Sequence, residues 1–234
     1  MLLAELEIWH TRPLTPTRRV SLGHMILPSD PAPGFGGLLL GAVIARHIGD
    51  VEDELLPDTH RLVEQVQRGE RIVQPRLRHR FQVDRHGMAR SLHRLVGTDS
   101  DFAFEFDTQG NPVQQVLGAI YALERLEMGL RRSLAPVMIK SLNWRGPLGS
   151  AFVAHLVGSK STSLRSIGDP RAWALELLGF PPGTTKPSTG EVKKKYRALI
   201  REAHPDFGGD DIRARTTISD LGEARRILLE MAGG

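Results

Sequence analysis

The sequence predicts two domains in series: an α+β domain over residues 1–157, then an all-α segment over 169–232 made of a short helix and an antiparallel helical hairpin. Three observations lead there. Stretches with period-two alternation are interleaved with helical spacings through the first region. A small, polar run, "GSKSTSLRSIG" at 158–168, reads as the linker. Beyond it, helix start and stop signals follow one another closely.

In the first region, "RVSLGHMIL" at 19–27 places Val20, Leu22, His24 and Ile26 on one strand face, with residues 3–10 as its partner strand. Residues 35–49 and 52–68 read as helices; in the second, Leu55, Leu62, Val63 and Val66 lie near one face. "RLRHRFQVD" at 76–84 alternates strictly. Leu77, His79, Phe81 and Val83 face inward on this reading, and Arg76, Arg78, Arg80 and Gln82 outward. "DRHG" is then a hairpin turn into a strand at 88–96, and "DFAFEFD" at 101–107 alternates again. Asn111-Pro112 opens a helical pattern through about 132 that resumes after Pro136.

The all-α segment is more sharply punctuated. Asp169-Pro170 is an N-cap followed by proline at the first helical position, and the short helix ends near Gly179. Ser188 and Glu191 have capping-box spacing and open "EVKKKYRALIREA". Val192, Tyr196, Leu199, Ile200 and Ala203 form its apolar face, while Lys193, Arg197 and Arg201, four apart, form a separate basic stripe. Pro205 disfavours helical geometry at His204, and Gly208-Gly209 lets the chain turn back. A third helix over about 211–231 carries Ile218, Leu221, Ala224, Leu228 and Met231 inward.

Composition bounds the chemistry. Apolar residues are 40% and charged residues 25%, the balance of a soluble globular protein. There are no cysteines, which excludes disulfides, thiolate metal sites and cysteine nucleophiles and fits a reducing compartment. Two glutamates interrupt the apolar N-terminus and no basic region precedes it, so no secretory signal is expected. The apolar run "FGGLLLGAVIA" at 35–45 is too short to span a bilayer and reads as a buried helix. The net charge of +4 is mild but unevenly spread: residues 71–94 hold seven arginines against Asp84 alone, and residues 193–201 hold five basic groups and no acid.

The segment 169–232 resembles the J domain of DnaJ-type co-chaperones. The likeness runs through "ELLGF" in the first helix, "EVKKKYRALIREAHPD" in the second and "LGEARRIL" in the third, without a gap from Glu191 to Leu228. It departs from the family in a longer first loop, in Lys195 where a small alanine is usual, and in Gly222 and Arg225 where Asn and Tyr are common. This sequence shows no counterpart of the usual fourth helix, the Gly/Phe-rich linker or the cysteine-based zinc module. The resemblance implies that 169–232 is an all-α J domain, joined to the α+β domain and acting with a DnaK-class ATPase. It implies that the His-Pro-Asp turn contacts that ATPase and helps trigger its hydrolysis, and that the basic stripe docks on an acidic surface. The partner-binding set so implied is Lys193, Lys194, Tyr196, Arg197, His204, Pro205 and Asp206, with Arg201 added from its place on the stripe.

Competing chemistries are weaker. His204 beside Asp206 could serve as an oriented base, but the pair lies at an exposed turn with no evident nucleophile nearby. His79, His86 and His93 recur every seven residues, yet Gly87 and the alternation at 76–84 break the helix that would gather them on a metal. Glycines 34, 36, 37 and 41 match a phosphate-binding loop only loosely and read better as a turn into a packed helix. The sequence therefore predicts a cytoplasmic co-chaperone, not an enzyme, with no cofactor or metal of its own. Residues 1–157 are expected to bind or localise an unknown protein client, without membrane insertion. The alternative is a nucleic-acid-associated protein that uses the Arg71–Arg94 surface, less favoured because aromatics are scarce there.

Overall fold

The computed structural model describes residues 1–12, 18–72, 79–97, 102–158, 169–202 and 211–232, with backbone only at 202, 211–217, 219, 231 and 232. The chain forms two compact units, Met1–Val157 and Gly158–Gly234. Of the expected linker 158–168, only Gly158 is among the described residues.

The first unit is α+β. Its sheet has the order β3-β2-β1-β4-β5, from β1 (Leu2–His10), β2 (Arg19–Ile26), β3 (Arg80–Phe81), β4 (Ala89–Gly97) and β5 (Phe102–Asp107). β1 pairs antiparallel with β2, and β4 pairs antiparallel with both β1 and β5. Alternation separates the two faces. Ala4, Leu6 and Ile8 of β1 and Leu95 of β4 are fully buried. On the other face Glu5 pairs with Arg94 at 2.8 Å and Glu7 with Arg90 at 3.4 Å, cross-strand contacts that suit a solvated sheet surface.

Helices cover the apolar face. α1 (Gly34–His47) is buried on nearly all sides: Leu38, Leu39, Leu40, Ala42, Val43 and Ile44 are each at most 1% exposed. Such a helix is apolar all round rather than amphipathic, as its sequence reads. α3 (Pro112–Glu124) packs beside it on β1 and β2. The approach is close, since a Cβ on Gly118 would lie 2.5 Å from Ile8 Cδ1. α4 (Met128–Leu142) packs mainly against α1, α2 (Leu56–Arg68) packs against α4 and α3, and α5 (Ser150–Val157) closes the unit. Leu62, Val63 and Val66 of α2 are buried as expected.

Four expectations fail here. Of the strand expected over 76–84, residues 76–78 lie outside the described residues; among the described ones the strand is Arg80–Phe81, it runs parallel to β2, and Val83 is 76% exposed instead of inward. The Gln82 N–H makes the last backbone bond to β2, at Val20 O, the Ser21 hydroxyl of β2 donates to Val83 O at 3.3 Å, and the chain then turns about Asp84, whose carboxylate accepts from the His86 N–H. The "DRHG" turn is therefore no hairpin: it links β3 to β4, which β2 and β1 separate in the sheet. The helix expected through 132 ends at Glu124, and Pro136 lies inside α4 instead of before a restart. On β2, Val20 is buried but His24 and Ile26 are exposed, past a register shift opposite Leu6–Ile8 of β1.

The second unit contains three described helices: α6 (Pro170–Leu177), α7 (Thr189–Glu202) and α8 (Asp211–Ala232). The Asp169 carboxylate accepts from the Ala172 N–H at 2.8 Å, as an N-cap should, and Gly179 leaves α6 at a φ of +66°. Trp173, Ala174 and Leu178 share a core with Val192 of α7 and with Leu221, Ala224 and Leu228 of α8. The three α8 residues fall at i, i+3 and i+7, one helical stripe.

Candidate functional site

α7 is the element that carries most of the expected partner-binding residues. Its start is fixed by a reciprocal cap. The Ser188 hydroxyl accepts from the Glu191 N–H at 3.3 Å, while the Glu191 carboxylate accepts from the Ser188 N–H at 2.8 Å and its hydroxyl at 2.7 Å. These bonds hold the Glu191 carboxyl below its ordinary pKa.

The cap sets the rotation of the helix, and burial of Val192 anchors it. Tyr196, Leu199 and Ile200 are half-buried on the same side. Lys193, Lys194, Arg197 and Arg201 are all exposed on the other side. None of the four makes an ion pair among the described residues. Arg226 on α8 differs, pairing with Glu223 and Glu230 of its own helix. Like charges three and four apart destabilise a helix by about 0.2–0.5 kcal/mol per pair. Among the described residues the stripe is uncompensated, so its charges work slightly against the helix that carries them.

Tyr196 is part core. It packs on the apolar cluster, and the Arg225 guanidinium lies 4.9 Å from its ring centroid. His204, Pro205 and Asp206 lie outside the described residues, as do Arg76 and Arg78 of the other basic surface. Arg80 of that surface is exposed on β3.

One residue has a role that sequence reading missed. Lys195 sits between the two faces of α7, and its ammonium donates to Gly179 O at 2.6 Å and stands 4.9 Å from the Phe180 ring centroid. The signal was present in the spacing, because Lys195 follows Val192 by three and precedes Leu199 by four. The partner was not visible, since Gly179 lies sixteen residues away.

Among the described residues, no group of three or more side chains could hold a metal ion, and no helix is long and apolar enough to cross a membrane. His79 and His93 are buried on separate strand regions and His86 is exposed in the turn between them.

No family model matches the chain, and no solved structure matches it. A stretch of 41 residues is 51% identical to the DnaJ homolog shv of Drosophila melanogaster, covering 18% of this chain and 12% of that protein. A short segment of the chain is thus similar to a DnaJ homolog.

Proposed function

We propose that this chain is a J-domain co-chaperone that recruits a DnaK-class ATPase to a client and stimulates its ATP hydrolysis. The observation that carries the reading is α7: a helix with one face anchored in a core, a free basic stripe of Lys193, Lys194, Arg197 and Arg201 on the other, and His204-Pro205-Asp206 shortly after its end. The short likeness to a DnaJ homolog supports it. In this reading the second unit is the J domain, with α7 and α8 as its antiparallel pair and α6 packed alongside. The first unit binds or localises the client, the chain is not itself an enzyme, and it works in the cytoplasm. ATP and magnesium belong to the partner.

The test is single-turnover ATP hydrolysis by a DnaK-class chaperone with the full chain and its His204→Gln variant, alongside circular dichroism. The variant should keep its helical signal and lose stimulation, because in this reading His204 contacts the partner instead of the core, and a polar exchange away from a core costs little stability. Full stimulation by the variant would remove the J-domain reading.

A further inference from the structure

The first unit keeps a polar core at one end of its sheet. The ends of β1 and β5, the starts of β2 and β4, and the start of α3 meet there. Ser91 and Gln115, both fully buried, form its centre. The Gln109 N–H and the Gln115 amide donate to Ser91 Oγ at 2.9 and 3.0 Å, filling both its lone pairs. The Ser91 hydroxyl has one proton to give, and Gln109 O at 2.7 Å and His10 Nε2 at 3.0 Å compete for it. Gln115 Oε1 faces His93 Nε2 at 2.9 Å and must accept, so His93 carries its proton on Nε2, and its buried Nδ1 has no partner. A buried polar network with an unsatisfied member is costlier than an apolar layer of the same volume. Fold stability alone does not call for it.

In front of this network lie two openings of about 630 and 360 Å³ that share Arg12 and Gly110 as walls. Both volumes fall within the range of roughly 300–1,000 Å³ found for small-molecule sites. Arg90 lines the first and Arg18 the second, and Asp107 is the one carboxylate among the described walls. Arg12 and Arg18 are exposed and make no ion pair among the described residues. Gly110 has a φ of +86°, and a Cβ there would lie 2.5 Å from His10 Nδ1, so the turn closes over the imidazole edge only because it has no side chain. The attraction comes from the guanidinium groups and not from the α3 terminus. Its first N–H groups are already taken, Val113 N by Asn111 Oδ1 and Gln114 N by Asn111 O.

We infer that this cleft binds a small oxyanion-bearing molecule, with Arg12 and Arg18 as its charge partners and the His10–Ser91–Gln115 network holding the wall behind them. Guanidinium forks match phosphate and carboxylate oxygens in pairs. Asp107 accepts from a hydroxyl or ammonium on the same molecule. It also works against a continuous polyanion, which would bring charge past a fixed carboxylate. The ligand is therefore a compact phosphorylated or carboxylated compound rather than a nucleic-acid strand.

The test is a nuclear magnetic resonance titration of the full chain with inorganic phosphate and, separately, with acetate, at constant ionic strength. Saturable shifts of the Arg12 and Gly110 amides are expected. Tighter binding of phosphate assigns a phosphoryl ligand, and tighter binding of acetate a carboxylate. Arg12→Ser with Arg18→Ser should weaken binding by about tenfold or more with the unfolding midpoint unchanged, and Arg12→Lys should weaken it less. Shifts that stay linear with concentration, or equal affinity in the double variant, would overturn the site. So would a duplex oligonucleotide that outcompetes phosphate at the same amides.

Discussion

The Lys195 ammonium donates to the Gly179 carbonyl across 2.6 Å, tying the middle of α7 to the chain that leaves α6. The same ammonium lies against the Phe180 ring. Lys195 thus satisfies the carbonyl of the turn residue just past α6 and adds a cation–π contact while its stem covers apolar surface. A charged residue at the margin of the apolar face becomes a structural tie rather than part of the free basic stripe.

Lys195→Ala should accordingly loosen the second unit by about 1 kcal/mol, the scale of one exposed hydrogen bond with a weak cation–π contact. Lys195→Met should recover part of that loss by restoring the stem. Native-state hydrogen exchange at Leu221 and Ala224 reads it directly, as faster exchange in the alanine variant. Unchanged exchange would mean that the contact has no energetic role.

Association with a DnaK-class chaperone should weaken as salt rises. The four exposed cations of α7 lie within reach of screening and act mainly on encounter. Arg197→Glu should slow association more than it alters dissociation, as read by stopped-flow binding at two ionic strengths. A rate indifferent to both changes would leave the stripe as an ordinary solvated helix face.

Acid should destabilise the first unit. His47 is 5% exposed, and burial, then the charges of His93 and Arg46, push its pKa down to about 4. Its ring faces His93, Phe106 and Thr108. Burial lowers His93 and His10 as well, with Gln115 and Asp107 opposing the shift at His93. The unfolded chain therefore binds more protons than the folded one between the ordinary histidine pKa and the lowered values. Stability is complete above about pH 6.5 and falls as pH drops through that window, by up to a few kcal/mol from these groups. Urea midpoints followed on β1 and β4 amides should drop from pH 7 to pH 5, and His47→Phe should flatten the slope. A slope of the opposite sign would show that these rings are not neutral in the folded state.

Oligonucleotide binding by the basic surface should stay weak. Of Arg76, Arg78 and Arg80, only Arg80 is among the described residues, and the segment 71–94 has few aromatics on which bases could stack. Filter binding of the full chain to mixed single-stranded and duplex oligonucleotides should give affinities on the order of 10⁻⁴–10⁻⁶ M at physiological salt, as for any basic surface. Nanomolar binding lost on changing the three arginines to serine would instead make nucleic acid the main partner of the first unit.

The second unit was largely legible from sequence because its signals are local. Asp169, Ser188 and Glu191 act within three residues of their partners, and helical spacing identifies Val192, Leu221, Ala224 and Leu228 as core. The same holds for α1, where an unbroken apolar run admits only a buried helix. The exposed stripe of Lys193, Arg197 and Arg201 follows from spacing alone once the apolar face is known.

Long-range pairing settled the rest. At 76–84 the alternation was real, but alternation records only which residues share a face, not which strand lies beside them or for how long. Backbone pairing with β2 ends at Gln82, the chain turns about Asp84, which accepts from the His86 N–H, and the Val83 side chain is left in water. Pro136 was read as a break, yet it lies within α4, where tertiary packing of Leu134, Val137 and Met138 outweighs the one hydrogen bond proline removes. The cleft walled by Arg12, Arg18, Arg90 and Asp107 joins residues nearly a hundred positions apart. No local pattern marks such a site, because strand order and the β1–β4 register, which set Ser91 opposite Ile8 and Ala89 opposite His10, exist only once the sheet has closed.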